Sequence, residues 1–213
     1  MTRITILGGT GYTGSNIARQ AAARGHQVTS FSRTPPAEPI EGVTYTTGSL
    51  DDSLGELIEN ADVIVGALAP RGGLETVLRE LYASVARRTA ASGKRLGIVG
   101  GWSALRLAPG AVRTAYTSEV PEQFATEARV MAEVIDDLVE SAPEGLDWFY
   151  ASPAANYGSY APGEARGTYR TGGEVAIVDD EGNSAVSGVD FAKAIVDEIE
   201  TPAHSGQQFG VAY

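Results

Sequence analysis

Gly8, Gly9, Gly11 and Gly14 follow directly on the run Ile4-Thr5-Ile6-Leu7, with Thr10, Tyr12 and Thr13 between them. Residues of these types in this order bring bare backbone up to a pyrophosphate. The first three glycines let the chain turn sharply and approach without a Cβ in the way, and Gly14 lets the next helix pack closely on the strand. The start of that helix offers free N–H groups and a partial positive charge. The segment satisfies Gly-x-Gly-x-x-Gly at 9, 11 and 14 and Gly-x-x-Gly-x-x-Gly at 8, 11 and 14. A dinucleotide site is the reading, and a glycine-rich turn with no ligand is its alternative.

The end of the second strand selects the dinucleotide. An NAD-specific site places Asp or Glu there to accept the ribose 2′-hydroxyl proton, whereas this chain reads Ser32-Arg33-Thr34. Arginine cannot accept that proton but clamps a 2′-phosphate with charge-assisted bonds. The expectation is NADP(H) ahead of NAD(H), with an ordinary surface arginine as the alternative.

The elements that position these residues alternate between strand-like and helix-like. A helix through Ser15–Arg24 stops at Gly25-His26, and strands are expected at 27–31 and 43–46. A helix over 53–60 and the continuous apolar strand 62–68 follow, then a long helix over 73–92 and a strand over 95–100. Ala128, Met131, Ile135 and Leu138 form one apolar stripe of a helix over 122–141, and 146–150 reads as a sixth strand. Residues 157–173 are rich in glycine and tyrosine, 174–178 suggests a strand leading into a hairpin, and Ser187-Gly188-Val189-Asp190 reads as a capping box, with reciprocal Ser187 and Asp190 bonds, opening a helix to about Glu200. A last strand is expected over 208–213. The fold class is α/β, a Rossmann-type doubly wound parallel sheet. Residues 1–213 are expected to form a single domain, with a small C-terminal portion, 157–213, covering the substrate side.

Composition narrows the function. The chain has 213 residues and no cysteine, which excludes disulfides, thiol catalysis and Cys-ligated zinc. A net charge of −11 argues against nucleic acid, whose phosphates need clustered Lys and Arg. His26 and His204 stand apart, so neither a metal site nor a Ser-His-Asp triad is expected. No secretory signal and no membrane-length apolar run are seen, so the expected location is the cytoplasm and the expected state a monomer or homodimer.

The chain resembles the atypical short-chain dehydrogenase/reductase group of NAD(P)H-binding proteins, and within it NADH–flavin reductases, biliverdin reductase B and NmrA-like proteins. The residues carrying the likeness are the segment Gly8–Gly14, the strand 61–68, Val99-Gly100-Gly101 and Leu146-Asp147-Trp148…Ser152-Pro153-Ala154. Gly167–Arg170, Val178–Ser184, Ala194–His204 and Phe209…Tyr213 extend it over nearly the whole chain. The resemblance implies that Thr10 to Thr13 contact phosphates, that Ala67, Leu68 and Ala69 line the cofactor with Gly100, and that Pro153, Ala154 and Ala155 border the nicotinamide. Ser49, beside Leu50, replaces the acid often found after the third strand, which weakens the adenine contact expected there.

Ordinary members of that group use a Tyr-x-x-x-Lys pair, in which the lysine lowers the phenol pKa for proton exchange with an alcohol or carbonyl. The only lysines are Lys94 and Lys193, preceded four residues earlier by Ala90 and Val189, so the pair is absent. Hydride transfer to a flavin or similar conjugated acceptor is less demanding, because the ring delocalises the charge and solvent supplies the proton. A reductase using NADPH, with a flavin as substrate, is therefore the leading expectation. An NmrA-like sensor without catalysis and an NADP-dependent epimerase or dehydratase are the alternatives. Ser103 is the one catalytic candidate, and it reads equally well as a loop cap. Trp102, Tyr157 and Tyr160 suit stacking on a planar acceptor or simple packing.

Overall fold

The computed structural model describes residues 1–213. Eight strands form one sheet in the order β3-β2-β1-β4-β5-β6-β8-β7. They are β1 Arg3–Leu7, β2 Gln27–Ser32, β3 Val43–Thr47, β4 Val63–Gly66, β5 Arg95–Val99, β6 Asp147–Ser152, β7 Arg170–Gly172 and β8 Gln207–Ala212. All pairings are parallel except β7 with β8. The chain runs outward from β1 through β2 to β3, then returns to place β4 on the other side of β1. That reversal opens a crevice beyond the carboxyl ends of β1 and β4, where α/β sheets bind ligands.

Helices cover both faces, as the continuous apolar strands require: β4 is buried at every position. On one face α1 (Tyr12–Ala23) and α5 (Gly188–Glu200) pack Ile17, Ala18, Ala21, Phe191 and Ile195 against Ile4, Ile6 and Val65. On the other, α2 (Leu50–Glu59), α3 (Leu78–Ala91) and α4 (Glu122–Ser141) pack Ile58, Tyr82, Val85 and Ile135 against Leu7, Ile64 and Ile98. Each of the Val, Leu, Ile and Phe side chains among them contributes roughly 1.5–3 kcal/mol by leaving water. No helix is long and apolar enough to cross a membrane.

Three expectations are corrected. Residues 174–178 do not form a strand of the sheet; the edge is Arg170–Gly172, antiparallel to β8. The N–H of Arg106 donates to the Glu174 carbonyl and that of Ala176 to the Arg106 carbonyl, so a distant loop claims the pairing groups of this segment. The helix expected from residue 73 begins at Leu78, because Gly72 and Gly73 adopt φ of 61° and 93° and break the helical path. At α5 the Ser187 hydroxyl accepts from the Asp190 N–H at 3.0 Å, but the reciprocal bond is missing: the Ser187 N–H donates to the Tyr213 hydroxyl instead.

Candidate functional site

The glycine segment turns from β1 into α1 on the edge of the crevice. Gly8 has φ of 85°, and a Cβ there would sit 2.6 Å from the Ala67 carbonyl oxygen, so a side chain is barred twice over. A Cβ on Gly14 would overlap the Gly8 carbonyl, which makes this glycine the condition for α1 packing against the loop. Gly11 differs: a Cβ there would meet only the Gly8 oxygen at 3.4 Å and otherwise stand in open space. The space kept clear above Gly11 is room for a ligand, not for protein.

The donors around that space are free. The amides of Thr10, Tyr12, Thr13 and Gly14 have no acceptor within the chain, and no side chain caps α1. Alone among the five helices, α1 has no acid in its first turn, whereas α2 carries two and α3, α4 and α5 carry one each. Its positive pole is left uncompensated, as a helix that receives an anion requires. These features fit a dinucleotide pyrophosphate.

The other candidates lie around this loop. Arg33 stands exposed one residue beyond β2, and its Nη1 donates to the Gly72 carbonyl at 2.5 Å. No carboxylate pairs with it, so its charge is available at the crevice rim. Ser32 is buried and its hydroxyl donates to the Thr34 carbonyl at 2.7 Å, which fixes the turn that presents Arg33. Ser49, exposed, precedes α2, and Leu50 is its first residue. Ala67, Leu68 and Ala69 continue from β4 across the crevice from the glycines. The Leu68 N–H donates to the Tyr82 hydroxyl at 3.1 Å, and that hydroxyl donates back to the Leu68 carbonyl.

The segments following β5 and β6 supply the opposite wall. Gly100 follows β5, and a Cβ there would overlap the Tyr150 ring. Trp102 and Ser103 are half-buried in a short 3-10 turn, and the Trp102 Nε1 is buried without a partner. Beneath that turn Arg113, 2% exposed, donates to the Ala104 carbonyl, to Gln208 Oε1 and to Asp136, each at 2.6 Å. This network holds the turn in place. Pro153 and Ala154 are buried at the end of β6, while Ala155 is exposed. Tyr157 is half-buried between Tyr12 and Phe191, with ring centroids at 5.6 and 4.9 Å, and its hydroxyl lies 2.7 Å from Thr13 Oγ1. Tyr160 is 79% exposed and takes no part in that cluster.

A family profile described as NAD(P)H-binding matches residues 8–202, from the glycine loop through α5. The chain belongs to this NAD(P)H-binding family. Among solved structures, a protein of Bacteroides thetaiotaomicron provisionally named an epimerase is 30% identical, with 100% of this chain and 97% of that one covered and a TM-score of 0.87. A protein of Burkholderia pseudomallei provisionally named as exported is 33% identical over 100% of both chains, with a TM-score of 0.86. A protein of Streptococcus pneumoniae provisionally named an NADH-flavin reductase shares the fold at 24% identity, covering 100% of this chain and 99% of that one, with a TM-score of 0.85.

In this NAD(P)H-binding chain the phenols of Tyr116 and Tyr157 are both raised rather than lowered. Burial pushes Tyr116 above the ordinary phenol range, and its hydroxyl donates to Asp136 at 2.7 Å, which holds the proton still more firmly. Burial also raises Tyr157, against a smaller opposing effect of Thr13. Lys94 lies at the opposite end of the sheet, before β5, and Lys193 pairs with Asp197 at 2.7 Å on α5. Sequence reasoning missed the Thr13–Tyr157 and Arg113–Gln208 contacts, which join residues 144 and 95 positions apart. The clustering of tyrosine in 157–173 was the one available signal for the first; nothing local signalled the second.

Proposed function

We propose that the protein is an NADPH-dependent reductase that passes a hydride to a planar conjugated acceptor such as a flavin. The observation that carries this reading is a glycine loop with free amides at the crevice, in a sequence that holds no Tyr-x-x-x-Lys pair. Bound reduced nicotinamide supplies a hydride, that is, two electrons and one proton. The chain binds and orients. The amides of Thr10 and Tyr12 to Gly14 receive the pyrophosphate, Arg33 clamps the 2′-phosphate, and Ala67 to Ala69 with Gly100 line the dinucleotide. Pro153 and Ala154 wall the nicotinamide, and Trp102 and Ser103 border the acceptor. The second proton comes from water, so that NADPH, a proton and the oxidised acceptor give NADP+ and the two-electron-reduced acceptor.

The name carried by the Streptococcus pneumoniae structure supports a flavin as acceptor. An epimerase, the name carried by the Bacteroides structure, would need an acid–base pair other than the Tyr-x-x-x-Lys pair that this sequence lacks. The same shortage suits an NADP-sensing protein without turnover, which is the second reading. A reductase drawing on a diffusible NADPH pool works in the cytoplasm, as a monomer or homodimer.

Calorimetry and a screen of acceptors test the proposal together. NADPH should bind at least about ten-fold more tightly than NADH, and Arg33→Ala should remove the difference, because a clamped phosphate contributes about 1.5–3 kcal/mol. NADPH should be oxidised in the presence of flavins, quinones or tetrapyrroles. Equal affinities would refute the cofactor preference, and tight binding with no turnover of any acceptor would establish the sensor.

A further inference from the structure

We propose that Arg33 and the loop after β4 form a latch across the adenosine side of the crevice, one that any dinucleotide must open and that only a 2′-phosphate compensates for opening. The chain then selects NADP(H) partly by penalising NAD(H), and not only by rewarding the extra phosphate. This deepens the assignment of Arg33 to the 2′-phosphate and rests on it for the compensation alone. The latch itself rests on contacts between the β2 and β4 ends of the sheet.

In the sheet order β1 lies between β2 and β4. Neighbouring strands stand about 4.8 Å apart, so the ends of β2 and β4 are separated by roughly twice that distance. Arg33 closes the gap. Its Nη1 donates to the Gly72 carbonyl at 2.5 Å, and a Cβ on Gly72 would meet Nη2 at 2.9 Å, Nη1 at 3.5 Å and Cζ at 3.6 Å. The whole guanidinium fork, the part that grips a phosphate with two parallel bonds, is therefore laid against Gly72. The contact joins segments on either side of β1, so it spans the carboxyl end of that strand, where the chain enters Gly8–Gly14. A dinucleotide lying from the start of α1 to the end of β2 crosses the same place.

The loop is anchored at its ends and exposed in its middle. Pro70 and Leu78 are buried and Leu74 packs on the core beneath α2, α3 and α4, whereas Arg71, Gly72 and Gly73 are exposed. Arg71 donates to Glu127 on α4 at 2.6 Å, so the exposed stretch is tethered to α4 on one side and to Arg33 on the other. Tethers this exposed are weak. Such a loop moves in nanoseconds to microseconds, so its opening is a rapid equilibrium ahead of binding. The apparent affinity for a dinucleotide is then the intrinsic one multiplied by the open fraction. NADPH recovers Arg33 in a charge-assisted bond, stronger than a bond to a neutral carbonyl. NADH breaks the latch and recovers nothing.

Calorimetric titration of NADH into wild type and Arg33→Ala reads the latch without the 2′-phosphate. Removing a cation by itself weakens an anionic dinucleotide, so charge and latch predict opposite signs. Salt at about 0.15 M screens the charge effect. Arg33→Ala should bind NADH about two- to four-fold more tightly than wild type, while it binds NADPH more weakly. Hydrogen exchange supplies a second readout: the amides of 71–77, now bonded to Ala69, Arg71, Leu74 and Glu75, should exchange faster in Arg33→Ala than in wild type, both without cofactor. NADH bound no more tightly by Arg33→Ala, or exchange that does not quicken, would overturn the latch. Equal affinity of wild type for NADH and NADPH would instead remove the assignment of Arg33 to the 2′-phosphate, and tightening of NADH in Arg33→Ala would still sustain the latch.

Discussion

Replacing Thr13 and Tyr157 singly and together should give stability losses that do not add, and the sign of the departure follows from which hydroxyl is stranded. The two oxygens lie 2.7 Å apart. The Tyr157 ring is packed against Tyr12 and Phe191, and burial is the main influence on its phenol, so its hydroxyl end is largely withdrawn from water. Thr13, half-buried beside the open crevice, can recruit water. Tyr157→Phe therefore removes one neutral hydrogen bond and should cost about 0.5–1 kcal/mol. Thr13→Val leaves the phenol without a partner and should cost about 1–3 kcal/mol. In the double variant no unsatisfied phenol remains, so adding Tyr157→Phe to Thr13→Val should restore about 0.5–1 kcal/mol. Urea unfolding of the four proteins, at an unchanged m-value, measures this directly. Simple addition of the two costs, or a double variant less stable than Thr13→Val, would refute the reasoning. The same proteins separate stability from cofactor binding. Thr13→Val keeps the amide assigned to the pyrophosphate, so it and Tyr157→Phe should each weaken NADPH only about two- to four-fold, through loss of the hydroxyl contact that holds the loop.

Two further outcomes follow from the site and from the buried charges. Gly11→Val should keep the fold, since a Cβ there touches only the Gly8 oxygen at 3.4 Å, yet abolish NADPH binding in calorimetry; saturation of this variant would reduce the glycine segment to a turn. Glu198, 4% exposed, is shielded by burial, which alone would raise its pKa, but bonds from Arg95 and His204 outweigh this and hold it below the usual carboxylate value. That stabilisation is complete above the unfolded glutamate pKa of about 4.3 and is lost as pH falls through the depressed folded value. Arg95→Met strips the Arg95 bonds at 2.6 and 2.7 Å and should cost about 3 kcal/mol at neutral pH while shrinking the acid-side loss, as pH-dependent urea melts would report.

The sequence made local patterns legible and contacts between distant segments illegible. Ile4–Leu7 and the four glycines read correctly because a strand, a turn and a helix start are each set by neighbours in the chain. The alternating apolar runs gave the class of fold, since both faces of a parallel sheet are buried. The edge strand was misread because Glu174–Val178 has strand-like composition, yet Arg106, nearly seventy positions away, takes its pairing groups. Arg33 was visible as the residue where an acid was expected, but its bond to Gly72 was not, because that loop is defined only once β4 lies beside β1. The support under Trp102 was equally hidden: Arg113 reaches Asp136 on α4 and Gln208 on β8, elements that meet only in the folded sheet.

Hydride delivery is tested most directly by an anaerobic single turnover in which protein loaded with NADPH is mixed with riboflavin. Loss of reduced nicotinamide and bleaching of the flavin should run together in equal amounts. Both should slow when the transferred hydrogen at nicotinamide C4 is deuterium. The rate should change little between wild type and Tyr116→Phe, whose hydroxyl is committed to Asp136. NADPH bound tightly and left unoxidised beside excess flavin would contradict the account, and so would a rate lost about a thousand-fold in Tyr116→Phe, which would reveal an acid–base phenol.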